Sequence, residues 1–339
     1  MTLEDTHISL AHGNGGRYMR ELIEQVFAKL LCNPALDTTA DAVTLPWDGR
    51  DGDLVFTTDG FTVQPLEFPG GDIGSLAVHG TTNDLAVSGA TPRYLSLNVF
   101  IEEGFEIATL ERLMASLARA AAQVGVLVAA GDTKVLPRGQ GGGLYLATTG
   151  IGVRPRGLSL HVRHIKAGDA VLVSGPIGAH GIAVMLAREQ FGLRGHLLSD
   201  AASVLPLTLQ LRDLPGLRFM RDPTRGGLAT VMHEIARATG LGVKLREEAV
   251  PVQDPVRSVC EMLGYDPYYL ACEGRVVAVV DRESEDAALA RWRATPQGRE
   301  AAIIGHVGES PAARVVLETS LGGSRYLEEL EDDPLPRIC

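Results

Sequence analysis

Strand-like and helix-like segments follow one another along this chain without regular alternation, and that irregularity removes most simple architectures. Leu22, Val26, Phe27 and Leu30 fall at helical spacing within residues 17–31. Strand patterns follow at 53–58, 94–101, 126–130 and 144–153, interrupted by helices at 72–88 and 109–124. The first of these helices is rich in small residues and is expected to bury Leu76, Leu85 and Val87; the second is amphipathic and stops at Gly125. After Arg154-Pro155-Arg156-Gly157 come strands at 169–174, 242–245, 275–281, 302–307 and 313–317. Helices are expected at 179–189, 199–211, 228–239 and 283–295. A doubly wound sheet would need a βαβ series, and none can be read. The expectation is an α+β fold in two domains, 43–154 and 155–318. An N-terminal segment, 1–42, would precede them with a glycine-rich loop and a helix, and a mobile tail, 319–339, would follow.

The net charge is −11, and lysine and arginine form no long cluster. That argues against nucleic acid, whose phosphates need a basic surface. It leaves room for a nucleotide, because carboxylates can hold the Mg²⁺ that neutralises phosphate. The first 16 residues are polar and glycine-rich, unlike a secretory leader. No run of 18 apolar residues exists, so no membrane span is expected. The four cysteines, Cys32, Cys260, Cys272 and Cys339, form no CxxC pair and no zinc spacing. Free thiols and a cytoplasmic location are the economical expectation.

Four aspartates are expected at strand ends or tight turns. They are Asp59 in TTDGF, Asp84 in TTNDLAVSGA, Asp132 in AAGDTKV and Asp222 in MRDPTRGGLA. Aspartates in such turns commonly cap nearby N–H groups. Four of them after apolar segments also supply hard oxygen ligands on separate loops, as Mg²⁺ bridging phosphates requires. Asp222 could alternatively cap the helix that follows it. The run His12-Gly13-Asn14-Gly15-Gly16 precedes a helix and could favour an anion, or be a plain loop. No GxxxxGK[ST] occurs, so a P-loop is absent. Lys134 and Glu273 are charges set among apolar residues and glycine, and would form a proton-transfer pair if they are neighbours in space. The sequence ends Leu335-Pro336-Arg337-Ile338-Cys339. Two prolines favour an extended arm with a thiol at its tip, able to carry a group between sites. Gly322-Gly323 offers a hinge for that arm.

Taken together, AHGNGG, TTDGF, GTTNDLAVSGA, AAGDTKV, RDPTRGGLA, ACEG and the final PRIC resemble the HypE family of hydrogenase maturation factors, the carbamoyl dehydratases. The order is kept over nearly the whole length. The aspartate–glycine runs are also similar to the wider superfamily of aminoimidazole ribonucleotide synthetases and selenophosphate synthetases. The resemblance implies that superfamily's two-domain α+β fold, with the N-terminal domains of two subunits paired as a homodimer. It implies ATP and Mg²⁺ on the loops of Asp59, Asp84, Asp132 and Asp222, with Thr133, Gly15 and Gly16 as further nucleotide contacts. Cys339 would receive a carbamoyl group from the carbamoyltransferase HypF as a thiocarbamate. ATP would drive its dehydration to a thiocyanate, with Glu273 as base and Lys134 stabilising charge or relaying a proton. The cyano group would pass to iron on a HypC–HypD complex, for the [NiFe]-hydrogenase centre.

Two other readings stay open on the residues. One is a synthetase of the same superfamily acting on a free small molecule, for which a thiol arm has no use. The other is a non-enzymatic scaffold whose C-terminus docks into a partner.

Overall fold

The computed structural model describes residues 16–22, 24, 39, 43–45, 52–189, 197–309 and 312–331. The first domain is built on a five-stranded sheet of β1 (Val43–Leu45), β2 (Asp53–Phe61), β5 (Thr91–Glu102), β6 (Leu127–Leu136) and β7 (Leu144–Arg154). Their order is β1-β2-β7-β5-β6. Two short strands, β3 (Glu67–Phe68) and β4 (Gly71–Asp72), form a separate hairpin. All pairs in the main sheet are antiparallel except β5 with β6, which helix α3 (Ile107–Val124) joins as one βαβ unit. A short helix α1 (Arg17–Leu22) precedes the sheet.

Helix α2 (Ile73–Val87) lies between the two domains. Asp72 starts it with a capping box: its carboxylate accepts from Ser75 N–H at 2.9 Å, and Ser75 Oγ accepts from Asp72 N–H at 3.1 Å. Thirteen of its fifteen residues are buried, including Leu76, Leu85 and Val87. A helix buried this fully must be covered by more than one neighbour. Ile73, Leu76 and Ala77 join the core of the first sheet, while Ala86 and Val87 join the core of the second domain.

The second domain holds β8 (Ala170–Val173), β9 (Leu217–Arg221), β10 (Gly242–Arg246), β11 (Val277–Val280), β12 (Ala302–Gly308), β13 (Val315–Glu318) and β14 (Ser324–Tyr326). Their order is β14-β13-β10-β12-β8-β11-β9. The inner strands β8 (AVLV) and β11 (VAVV) are buried at every position, as strands covered on both faces must be. Val171, Val173, Val277 and Val279 face helix α6 (Gly227–Thr239). Leu172, Ala278 and Val280 face α5 (Leu205–Leu211) and α8 (Glu285–Arg293), whose Trp292 is fully buried. Helices α4 (Ala179–Glu189) and α7 (Asp254–Leu263) extend the core of the first domain.

Several expectations need correction. Residues 199–204 are not helical: Pro206 fits only the first turn, so α5 begins at Leu205. The expected turn at Gly131-Asp132-Thr133-Lys134 lies inside β6, which runs from Leu127 to Leu136. Gly131 is there because a Cβ would meet Leu97 O at 2.5 Å on the neighbouring strand. Asp59 lies within β2 and Asp84 within α2, not at their ends. Asp222 does not cap α6, which starts from Gly226 without a side-chain cap. Of the arm expected to be mobile from Thr319, the residues through Tyr326 are built into the second sheet, and 332–339 lie outside the described residues. Gly322-Gly323 is the turn between β13 and β14 rather than a hinge. Leu327 is then buried against Val315, and its carbonyl accepts from His233 Nε2 at 2.8 Å. Arg17 N–H donates to Leu330 O at 2.8 Å.

Candidate functional site

A cavity of about 370 Å³ opens between the domains. Its size suits a small ligand. Strand β2 alternates, so Val55, Thr57 and Phe61 turn inward, and Thr57 and Asp59 both line the cavity. Helix α2 contributes Gly80 and Asp84; the turn after β9 contributes Asp222 and Arg225; the loop before β11 contributes Glu273. Four carboxylates from both domains therefore meet in one space.

Their mutual repulsion and burial set their protonation. Asp84 is held well above the usual carboxylate range by loss of water, then by the charges of Asp222 and Asp59. The Thr57 hydroxyl, donating to Asp84 Oδ2 at 2.8 Å, opposes this. Burial pushes Asp222 up to about 6, against the pull of Arg221. Asp59 is raised by burial and eased by Arg225, 3.4 Å from its Oδ1, and by the Gly60 N–H at 2.8 Å. Glu273 is raised well above the ordinary value by burial first, then by Asp222, Asp59 and Asp200. A cluster of buried acids that resist ionisation, several of them also because of their neighbours' charge, favours an added cation. Among the described residues, no three or more His, Cys, Asp or Glu side chains form a metal cage by themselves.

The outer part of the cavity is different. Arg20 on α1, and Arg237 and Glu234 on α6, line it together with Glu329. Both Arg20 and Arg237 donate to the Glu329 carboxylate. The segment that carries Glu329 thus runs along the cavity mouth. Apolar surface from Val162, Phe219 and Val231 lies alongside.

The expected site residues divide. Asp59, Asp84, Asp222 and Glu273 come together. Asp132, Thr133 and Lys134 do not join them within this chain; they lie on β6, the edge strand of the first sheet. Lys134 Nζ is 3.0 Å from Asp132 Oδ2, and both side chains are exposed. Lys134 and Glu273 are therefore not a proton-transfer pair in one subunit. Gly16 precedes α1, and its carbonyl accepts from Arg20 N–H at 3.2 Å. Gly15 and Cys339 lie outside the described residues. Cys260 and Cys272 are both buried. Burial pushes the Cys260 thiol up to about 11 and that of Cys272 well above its usual value. Burial of this kind disfavours the thiolate at both.

Known proteins match this arrangement along most of its length. Residues 39–154 match the N-terminal domain of AIR synthase related proteins, and residues 166–318 match the C-terminal domain. A carbamoyl dehydratase HypE from Azotobacter vinelandii is 45% identical over 340 residues, covering 100% of this chain and 99% of that protein. The chain belongs to the HypE family of carbamoyl dehydratases. It is an enzyme of that family, with the two-domain AIR synthase-like fold. Among solved structures, a HypE–HypF complex superposes with a TM-score of 0.86 at 42% identity, covering 91% of this chain and 99% of that one. A HypE in complex with ATP superposes with a TM-score of 0.81 at 42% identity, covering 98% and 100%.

Some residues at the site were missed by sequence reasoning. Thr57 carried a signal, since it sits two positions before Asp59 on an alternating strand. Arg225 stands within RDPTRGG but was not singled out. Arg20, Arg237, Asp200 and Glu329 carried none, because their partners lie far away in sequence.

Proposed function

We propose that this protein uses ATP to dehydrate a carbamoyl group carried as a thiocarbamate on Cys339, giving a thiocyanate that supplies cyanide for a [NiFe]-hydrogenase iron centre. The observation that carries the reading is the convergence of Asp59, Asp84, Asp222 and Glu273, from both domains, on one cavity. Its acids are too many and too poorly hydrated to stay ionised unaided. The donors are all oxygen, and they form no cage. That suits Mg²⁺, which typically takes one or two carboxylates and leaves places for water and phosphate. Asp59, Asp84 and Asp222 would hold it, and it would supply charge neutralisation at the phosphates of ATP.

The chemistry asks for what the chain provides. The carbamoyl oxygen of R–S–C(=O)NH₂ is a poor leaving group. Its attack on the γ-phosphorus expels ADP and converts that oxygen to a phosphate ester. Two protons leave nitrogen, the C–O bond breaks, and R–S–C≡N, ADP and phosphate result. Glu273, which burial makes a stronger base when ionised, would accept a proton from nitrogen. Arg225, beside Asp59 at the cavity wall, would steady the phosphate oxygens. Cys339 would be the carrier, with its arm starting beyond Glu331 at the cavity mouth. Eight residues span at most about 26 Å at about 3.3 Å each. A carrier thiol must stay reduced, and a cytoplasmic location would keep it so.

The partners follow from the same reading. A HypF-type carbamoyltransferase would load Cys339, and a HypC–HypD complex would accept the cyano group. A homodimer would form through the first sheet, where edge strand β6 leaves Leu127, Val128 and Val135 exposed. Such pairing would bring Asp132, Thr133 and Lys134 to an inter-subunit surface, as further nucleotide or charge-stabilising groups. Gly15 and Gly16 would contact the nucleotide beside α1. Among the described residues, no helix is long and apolar enough to cross a membrane.

The test is the intact mass of the full chain after incubation with its carbamoyltransferase and carbamoyl donor. A carbamoyl adduct mapping to Cys339 should form, and it should lose one water when ATP and Mg²⁺ are added. An adduct elsewhere, or water loss without ATP, would overturn the reading.

A further inference from the structure

The backbone of Glu273 is gripped from both sides by buried side chains. Its N–H donates to Asp200 Oδ1 at 3.2 Å. Its carbonyl accepts from Asn83 Nδ2 at 3.1 Å and from Ala202 N–H at 3.4 Å. The same Asn83 amide donates to Ala202 O at 3.0 Å, and its Oδ1 accepts from Val204 N–H at 2.9 Å. Asn83 is 1% exposed. Asp200 Oδ2 is ion-paired with Arg275, whose Nε lies 3.3 Å away and donates to Pro176 O at 2.9 Å. Gly274 leaves the room needed, since a Cβ there would lie 1.9 Å from Asp200 O.

Asn83 stands next to Asp84 on α2. Adjacent helical residues point about 100° apart, at 3.6 residues per turn. One turn of a buried helix therefore sends Asp84 into the cavity and Asn83 to the peptide of Glu273. Asn83 and Asp84 belong to the first domain, Glu273 to the second. We infer that Asn83 is a positioning residue: its amide sets the place of Glu273 relative to Asp84 across the domain boundary and leaves the Glu273 carboxylate free for substrate. Among the described residues, no hydrogen bond to that carboxylate competes. This rests on the reading of Glu273 as the base.

A buried asparagine that satisfies three backbone groups also stabilises the fold, so the test must separate the two roles. Full-length protein, carbamoylated by its transferase, is given saturating Mg²⁺–ATP, and water loss is followed by intact mass. Asn83→Ala should slow this step about 100-fold, the scale of a roughly 1 Å misplacement. ATP affinity by calorimetry should stay within about threefold. The deciding measurement is a double-mutant cycle with Glu273→Gln. If Asn83 acts through Glu273, adding Asn83→Ala to Glu273→Gln costs less than about threefold more. Asn83→Asp runs through the same cycle. It keeps the size and the acceptor for Val204 N–H but loses both amide donors, and so covers the case where the alanine variant fails to fold. Full additivity in the Glu273→Gln background, or a wild-type rate in either Asn83 variant, overturns the inference. A wild-type rate in Glu273→Gln alone would instead sink Glu273 as base, and the inference with it.

Discussion

Replacing Asp222 by asparagine keeps its volume and removes a charge that its burial resists. Asp222 is 4% exposed, and burial raises its carboxyl from 3.8 to about 6. Between those values the folded state holds a proton that the unfolded chain has released. Stability contributed by the protonated acid is therefore complete below about 4 and is lost as pH rises through about 6. A displacement of about 2 pH units at about 1.36 kcal/mol each corresponds to at most about 3 kcal/mol. Asp222→Asn cannot suffer that loss. In the protein without nucleotide, the variant should melt close to the wild-type temperature at pH 4 and above it at pH 8, by up to roughly 6–12 °C, taking about 2–4 °C per kcal/mol for a domain of this size. Trp292, fully buried in the same domain, is the fluorescence reporter. Saturating Mg²⁺–ATP should reverse the order at pH 8, because it stabilises only the protein able to bind it. Two melting curves that stay parallel from pH 4 to pH 8 would refute the electrostatic account of the cavity.

Further outcomes follow from single contacts. Thr57→Val removes the hydroxyl that supports ionised Asp84, worth about 1.5–3 kcal/mol for a bond to a charged group, and should weaken Mg²⁺–ATP at least about tenfold by calorimetry; unchanged affinity counts against Asp84 as a ligand. Gly274→Ala drives a methyl into Asp200 O, so both melting temperature and dehydration rate should fall, the rate by about 100-fold or more. Val135→Glu places a charge on the exposed face of β6 and should convert a dimer to a monomer by light scattering, while a wild-type dimer would move the interface elsewhere. Cys339→Ala should lose carbamoyl loading with a stability change under about 0.5 kcal/mol, and hydrogenase maturation surviving the change would remove the carrier role.

Local chemistry made much of the fold readable. The small-residue composition of α2, the alternation in β2 and the glycine that ends α3 each announce their element, because each depends on neighbours a few positions away. Helix α7 was just as readable, with Pro255 in its first turn and Gly264 left-handed at its end, yet no helix was expected there. Strand β9 (LRFMR) gave less to go on, since its pattern of burial is irregular. At Asp132 a local signal pointed the wrong way. Gly131-Asp132 has the composition of a turn, but the glycine answers to the close backbone of Leu97 across the sheet, and the strand runs on. The tail misled for a similar reason. Its charges and glycines read as solvated chain, whereas Leu327 finds a core and Glu329 finds two arginines only after the domains have formed.

The site was legible in its acids and hidden in its supports. Asp59, Asp84, Asp222 and Glu273 stand in short runs whose composition is unusual enough to notice. What holds them spans the chain: Thr57 to Asp84, Asp200 to Glu273 and Asn83 to Glu273 are contacts between residues 27, 73 and 190 positions apart. Such contacts leave no periodic trace, because asparagine, aspartate and threonine are as common in turns as in buried networks. The burial of α2 in both cores is the feature that ties them together. It packs against both domains while presenting Gly80 and Asp84 to the cavity, so the place of Asp84 is set against both at once. A cavity assembled from two domains then keeps its acids in register through a single buried helix. The mouth is held differently: Arg20 and Arg237 grip Glu329 by charge at a partly exposed surface, where ion pairs contribute little, whereas the acids below are fixed by packing.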